Sequence, residues 1–356
     1  MTTTDTTMRA LVLEDFGDLV LVERPRPAPG PGEALVRVLA TGICGSDLHG
    51  YTGENGRRVP GQVMGHETVG TVVTLGDAGR PGAGIEQSPV PLAEGDVVVL
   101  NPTLSCGGCE RCARGMSYIC ADRRVVGVDP AISAAFADYF VVSVANLVPF
   151  GGETLHGALV EPLAVGYHAA VRGGVGAGDD VLVLGGGPIG QAAALACARL
   201  RAASVTVSEP APERRELLGR LGVDVLDPGA VDVAVEVIER TGGLGASVVI
   251  DAVGSSATLG TALAATTAGG VCVLVGMAAP RVELDAFAVS TFERTIVGTF
   301  CYSAAEFAET ARWAQDHPEL LRALVSRTVR AEDGPAAFAA MAAGDNPAGK
   351  VLVTFA

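Results

Sequence analysis

Histidine is scarce in this chain, five residues in 356, and aromatic side chains make up 4% of it. Basic residues are short as well: 25 Lys and Arg stand against 40 Asp and Glu, for a net charge of −15. A chain poor in both cations and rings lacks the surface that neutralises phosphates and the platforms that stack bases, so nucleic acid is not an expected partner. Nowhere do eighteen uncharged apolar residues run together, and the opening MTTTDTTMRALVLEDFG has no basic stretch followed by an apolar one. Neither a membrane span nor a secretory signal is expected, and the first seven residues read as a loose tail on a cytoplasmic protein.

What is present is 49% hydrophobic and 18% charged, with 47 glycines and 20 prolines spread along the chain. The length is comfortable for two domains, and the composition is that of globular α/β material. From Arg9 to about Pro149 the apolar runs are short, valine-rich and broken by glycine or proline: ALVLED, LVLVERP, EALVRVLA, VGTVVTLG, DVVVLNP, FADYFVVSV. They read as strands, with no convincing helical period between them. After Glu161 and Pro162 the pattern becomes strand, glycine turn, helix. Strands are expected near 181–184, 205–208, 223–226, 248–251, 271–275 and 296–299. Six strands with helices mostly between them predict a doubly wound parallel sheet. The tail carries helical segments near 304–315 and 332–343 and a last strand, KVLVTF, and is expected to return to the first domain. The glycine- and proline-rich stretch 77–94 reads as an exposed insertion.

Four of the eight cysteines fall within fifteen residues, which in a chain of this length without a signal peptide points to metal rather than disulfides. Cys106, Cys109, Cys112 and Cys120 form CxxCxxCx7C, a spacing that lets one loop fold four thiolates around a tetrahedral Zn2+. A closed four-sulfur shell leaves no place for substrate, so this zinc would be structural. CxxCxxC also opens iron-sulfur motifs, but those continue with a three-residue gap to Cys-Pro, whereas here the gap is seven and Ala121 follows. Exposed paired thiols without metal are the other alternative. Cys197 and Cys272, in apolar runs, read as small core residues.

GxGxxG alone is a weak signal. Here Gly185, Gly187 and Gly190, with Pro188 and Ile189 inside the turn, follow the strand DDVLVLG and open the helical run IGQAAALACARL, which brings bare backbone and a helix N-terminus to a pyrophosphate. The next strand, SVTVS, leads into Glu209, nineteen residues after Gly190 (209 − 190). A carboxylate there accepts both ribose hydroxyls of NAD and repels the 2′-phosphate of NADP, so NAD is expected. Arg214 and Arg215 keep NADP as the alternative. Val253, just past the fourth expected strand, is counted with the cofactor-binding residues.

GHETVG, residues 65–70, sets His66 beside Glu67, twenty-two residues after Cys44 (66 − 44). An open zinc site needs three protein ligands and one exchangeable position, and Cys44, His66 and a later carboxylate would supply it. Plainer accounts exist for each: free cysteine is commonly buried, and an acid before Pro162 suits a helix start through the macrodipole alone. His156, His168 and His317 match no ligand pattern and are expected in core or surface roles.

In GICGSDLH, GHE, CGGCERC, EPLAVGYHA, GGGPIG and GKVLV the chain resembles the zinc-dependent medium-chain dehydrogenase/reductase family, which includes alcohol, sorbitol, threonine and butanediol dehydrogenases, over nearly its whole length from Met8. The resemblance implies a GroES-like β-rich catalytic domain over 1–160 with the structural-zinc loop at 106–120, a Rossmann NAD-binding domain over 161–300, a return to the catalytic domain over 301–356, and a cleft between the two domains. It puts Cys44 and His66 on the catalytic-zinc ligands, Glu67 on that zinc or just behind it, and Glu161 on the metal or its water. Ser46 and His49 fall on a relay that carries the alcohol proton from a hydroxyl through the cofactor ribose to a histidine, and Asp47 is expected to orient its neighbours. GTFCY has Cys301 where sorbitol-type members carry an arginine, which moves the expected substrate from long polyols toward smaller secondary alcohols, vicinal diols or hydroxyketones. The expected reaction is hydride transfer between such an alcohol and NAD, with two Zn2+ per chain, in a homotetramer rather than a dimer. The alternatives are an NADP-linked ketone or aldehyde reductase, a polyol or threonine dehydrogenase, and a catalytically silent zinc-stabilised binding protein.

Overall fold

The computed structural model describes residues 6–54, 56–77, 91–132 and 134–355. Most of the insertion expected at 77–94 lies outside the described residues, as do the first five of the expected tail; a strand already begins at Thr7. Two units are formed, one of Met1–Glu161 with Ser303–Ala356 and one of Pro162–Tyr302.

In the second unit six strands pair in parallel. Across the sheet they run Asp224–Leu226, Ser204–Ser208, Asp180–Leu184, Ala246–Asp251, Thr266–Leu274, Thr295–Gly298. In chain order that is third, second, first, fourth, fifth, sixth, so the winding reverses beside the first strand, where such folds bind their ligands. Both faces of these strands are apolar, and successive side chains go to different cores. Val181, Val183, Val248 and Ile250 enter one cluster, while Leu182, Leu184, Val249 and Cys272 enter the other. A sheet apolar on both sides must be covered on both sides, which is what crossover helices do. The fifth strand starts five residues before its apolar run (271 − 266), because Thr266 bridges Ala246 across an irregular register ahead of Gly269 and Gly270.

The first unit is largely antiparallel. Its seven-stranded sheet runs Leu147–Pro149, Val97–Leu100, Glu67–Leu75, Glu33–Gly42, Lys350–Thr354, Val325–Arg330, with Tyr139–Ser143 also paired to Glu33–Gly42. Gly42 faces Glu67 on one side and Leu352 on the other. That register brings the ends of three strands together beside residues 43 and 44, and the candidate site is built there.

Two features depart from the reading of the sequence. A helix, Gly45–Tyr51, stands where no helical period was apparent. Seven residues are too few for an apolar period to repeat, and the start is local: Asp47 Oδ2 accepts the Cys44 N–H at 3.2 Å. In the tail a helix at Pro318–Leu324 and a strand at Val325–Arg330 precede the last helix. VSRTVR lies at the sheet edge and is mostly exposed, so it lacks the apolar alternation that marks inner strands. Among the described residues no helix is long and apolar enough to cross a membrane.

Candidate active site

Cys44, His66 and Glu67 offer ligand atoms that all lie within 4.8 Å of one another. Cys44 caps the helix Gly45–Tyr51, and the other two enter at the head of the strand Glu67–Leu75. A Cβ at Gly42 would collide with Glu67 Oε2, so this glycine makes room for the carboxylate. His66 and Glu67 are buried, and His66 Nδ1 and Glu67 Oε2 have no hydrogen-bond partner. Buried polar atoms left unpaired cost about 1–3 kcal/mol each. A thiol, an imidazole and a carboxylate with a spare oxygen are a donor set that fits Zn2+, and a bound cation would satisfy that oxygen.

The charges around the cluster support the same fit. Burial by itself disfavours a charged His66 ring, yet Asp47, Cys44 and Glu161 outweigh burial and push its pKa up to about 10. Burial likewise opposes the Lys350 ammonium, and Glu67, Cys44 and Glu161 overcome it, raising its pKa above the usual lysine value. Lys350 Nζ donates to Glu67 Oε1 at 2.5 Å and to the Ile43 carbonyl at 3.1 Å. The surplus of negative groups holds a proton on His66 that a metal cation would replace.

The other expected residues are placed around this cluster. Glu161, buried in the first turn of the helix Val160–Arg172, is not one of the three mutually close ligands, although its charge reaches both His66 and Lys350. Ser46 and His49, three apart on one short helix, share a face. The His49 side chain is 52% exposed, with Nδ1 2.9 Å from Glu54 Oε2. His156 and His168 are buried, and His317 Nδ1 lies against the Trp313 carbonyl. Cys197 and Cys272 are core residues.

The four cysteines of the loop at 106–120 form a second cluster. Sγ separations are 3.5 Å for Cys109–Cys112 and Cys106–Cys120, and 3.9 Å for Cys106–Cys112 and Cys109–Cys120. Zn–S bonds of about 2.3 Å give a tetrahedron with edges of roughly 3.8 Å, whereas a disulfide needs about 2.05 Å. The cage therefore has the dimensions of a zinc site, and all four cysteines are free of disulfides. Backbone N–H groups of Gly108 and Cys109, with Cys120 and Cys109 side chains, pull Cys106 down to about 7, while burial chiefly pushes Cys112 up to about 11.

In the second unit Gly187 caps the helix Pro188–Arg199, which begins with Pro188, Ile189 and Gly190. A Cβ at Gly190 would run into the Gly185 carbonyl, and one at Gly185 would sit 2.7 Å from Val253 Cγ2, so turn, helix and following loop are in direct contact. Glu209 is buried, accepting the Gly186 N–H on Oε2 at 2.6 Å and the Ala211 N–H on Oε1 at 2.8 Å. Arg214 Nη1 stands 3.9 Å from Glu209 Oε2, with Nε unpartnered. Arg215 is tied to the Glu209 and Pro210 carbonyls and to Asp227.

Comparison with known proteins gives these sites a family. The alcohol dehydrogenase GroES-like domain matches residues 30–152, and the zinc-binding dehydrogenase domain matches residues 188–316. L-galactonate-5-dehydrogenase of Escherichia coli is 33% identical over 86% of this chain and 87% of its own length. The chain belongs to the zinc-dependent medium-chain dehydrogenase/reductase family. Among solved structures, a zinc-binding dehydrogenase of Sinorhizobium meliloti bound to NADP superposes with a TM-score of 0.87 at 29% identity, covering 99% of this chain and 100% of that one. The 2R,3R-butanediol dehydrogenase of Bacillus subtilis does so with 0.85 at 27% identity, covering 98% and 100%. As a member of this family the chain is an NAD(P)-dependent zinc-type oxidoreductase of CH–OH groups, with a GroES-like unit and a Rossmann-type sheet.

Two residues of the dehydrogenase site escaped the sequence reading. Lys350 stood in the GKVLV motif without a role, since nothing local shows that a lysine in an apolar strand reaches Glu67, 283 residues earlier. Arg58, in the loop before GHE, looks like a surface residue beside Arg57, yet it is buried against Asp47 at 3.2 Å.

Metal analysis of protein prepared without chelators is expected to find two zinc ions per chain and Cys120→Ser to hold one. Ligand thiols must lose protons to bind and bound zinc keeps them deprotonated, so the loop should lose zinc as pH is lowered, at a pH well below the thiols' metal-free values. In the metal-free loop Cys106, its thiol lowered to about 7, should keep its thiolate form to lower pH than Cys112, whose thiol is raised to about 11. Undiminished zinc in Cys120→Ser would refute the cage.

Proposed function

We propose that this protein oxidises a secondary alcohol or vicinal diol, or reduces the matching hydroxyketone, with NAD as the preferred cofactor and two zinc ions per chain, one catalytic and one structural. The observation that carries the reading is the cluster of Cys44, His66 and Glu67, with a buried unpartnered carboxylate oxygen. When bound, Zn2+ supplies a Lewis acid that makes a substrate hydroxyl more acidic, and the nicotinamide supplies the hydride acceptor. Cys44 and His66 would hold the metal, and Glu161 would contact it or its water. Lys350, by occupying Glu67 Oε1, leaves Oε2 as the oxygen Glu67 can offer. Ser46 accepts the proton that leaves the substrate as it passes its own hydroxyl proton on toward His49. His49, exposed and paired to Glu54, discharges a proton to water.

Glu209 favours NAD, because a carboxylate held rigidly by two N–H groups opposes a 2′-phosphate. The second reading, an NADP-linked reductase, is favoured by Arg214 beside that carboxylate and by the NADP in the Sinorhizobium relative. Cys301, with φ 56°, leaves no guanidinium at the position where long polyols would need one, and the Bacillus relative is a butanediol dehydrogenase. The Escherichia relative is named for a sugar acid. Initial rates with NAD+ and NADP+ across small diols, polyols, L-galactonate and threonine decide among these. We expect the fastest turnover with a vicinal diol and NAD+, and activity confined to long polyols or sugar acids would reject the small-substrate reading. Absence of turnover with every alcohol, together with zinc in the cysteine loop alone, would favour a silent scaffold.

Assembly as a cytoplasmic homotetramer is part of the proposal. Its support is a set of exposed apolar residues of the second unit, Met277, Leu284, Phe287 and Phe292, between 49% and 78% exposed, which precede the edge strand Thr295–Gly298 in the chain. Light scattering should give the mass of four chains, and Phe287→Glu should lower it; a monomeric wild type rejects the assembly.

Ser46→Ala is expected to cut kcat by about 10²- to 10⁴-fold, the usual worth of a positioned proton-transfer group, with zinc content unchanged. Turnover near that of the wild type would remove Ser46 from the mechanism.

A further inference from the structure

Behind the metal cluster lies a second buried cation. Arg58 is 2% exposed, yet only Nη2 has a partner, Asp47 Oδ1 at 3.2 Å; Nε and Nη1 are buried with none. Taking a guanidinium out of water with two nitrogens unpaired destabilises a fold, and a single ion pair does not offset it. For packing alone an apolar side chain would serve better. The chain instead makes room for the arginine: a Cβ at Gly50 would collide with Arg58 Cγ, so its stem lies directly on the helix Gly45–Tyr51.

The other contacts of Asp47 indicate the purpose. Oδ2 accepts the Cys44 N–H at 3.2 Å, and Oδ1, the oxygen held by Arg58, stands 3.5 Å from His66 Nδ1. One carboxylate therefore faces both of the ligands that come from separate segments. With Nδ1 turned to Asp47, Nε2 is the ring nitrogen left for the metal. An Asp47 carboxylate free to rotate would lose this alignment and could itself turn toward the ion.

We propose that Arg58 is a positioning residue for the catalytic metal, fixing the Asp47 carboxylate so that it orients His66 and supports Cys44 without becoming a ligand. This rests on the reading of Cys44 and His66 as metal ligands. The test is cobalt(II) binding to metal-free full-length protein, followed by thiolate-to-cobalt absorption and chelator competition, in the wild type, Arg58→Lys and Arg58→Met. The wild type should take two ions. Both variants should fill the four-cysteine loop with wild-type affinity and bind the second ion about 10- to 100-fold more weakly, the usual effect of losing a group that orients a ligand, with Arg58→Lys the less affected. If Arg58→Met does not fold, Arg58→Lys, which keeps the charge and most of the stem, carries the comparison. A second ion bound as tightly as in the wild type overturns the proposal. So does a loss shared equally by both sites, which is what a merely structural arginine would give. A wild type that takes one ion overturns the metal reading itself, a separate and distinguishable failure.

Discussion

The candidate active site is organised around a buried carboxylate set among three partners. Asp47 faces the Cys44 N–H, His66 Nδ1 and the Arg58 guanidinium, all within 3.5 Å. Around it the groups of opposite sign alternate: Glu67 and Glu161 against Lys350, with His66 held cationic by its neighbours. Buried ion pairs are at best near neutral for stability compared with apolar packing, and removal of one partner costs about 3–5 kcal/mol. Seven ionisable side chains in one corner of a core are therefore a poor way to hold a fold together. They are a good way to surround a divalent cation, whose charge would complete the arrangement.

Assembling that corner requires distant parts of the sequence. Gly42 ends one strand opposite Glu67, which opens its neighbour with His66 just ahead of it, and also opposite Leu352, two residues after Lys350 begins the last strand of the chain. Between them the chain builds a whole second unit, Pro162–Tyr302. The cost of closing a long loop grows only as the logarithm of its length, so the intervening residues are a small penalty if they fold on their own. Lys350 reaches Glu67 through the pairing of the final strand, so the charge balance of the site depends on a contact 283 residues apart in the chain. The four-cysteine loop differs in kind, since its ligands lie within fifteen residues and its closure is local.

That contrast explains what could be read in advance. The cysteine spacing and the glycine turn carry their geometry in a few adjacent residues, and the six parallel strands show as apolar runs because both their faces are buried. His66 and Glu67 were visible as a pair, the ligand needs of an open zinc site joined His66 to Cys44, and the family resemblance added Glu67 and Glu161. Arg58 and Lys350 were not visible, because an isolated cation in a sequence looks like surface and only tertiary structure shows it buried. The helix Gly45–Tyr51 was missed for another reason: two turns carry no period, and what starts it is Asp47, which also faces His66 Nδ1 at 3.5 Å. The edge strand Val325–Arg330 lacks the apolar face that inner strands display.

The dinucleotide turn presents a similar problem of balance on the proposed reading. Glu209 is fixed by two N–H groups, and Arg215 by two carbonyls and Asp227, so neither rearranges without losing hydrogen bonds. Arg214 is the adaptable member, partly exposed, 3.9 Å from the carboxylate and with Nε unpartnered. A fixed negative charge therefore shares the ribose position with a movable positive one. Tenfold discrimination between two cofactors is only about 1.4 kcal/mol, the scale of a single charge-assisted hydrogen bond. On that reading cofactor choice would turn on whether Arg214 pairs with Glu209 or with a phosphate, a difference no larger than one hydrogen bond of the fold around it.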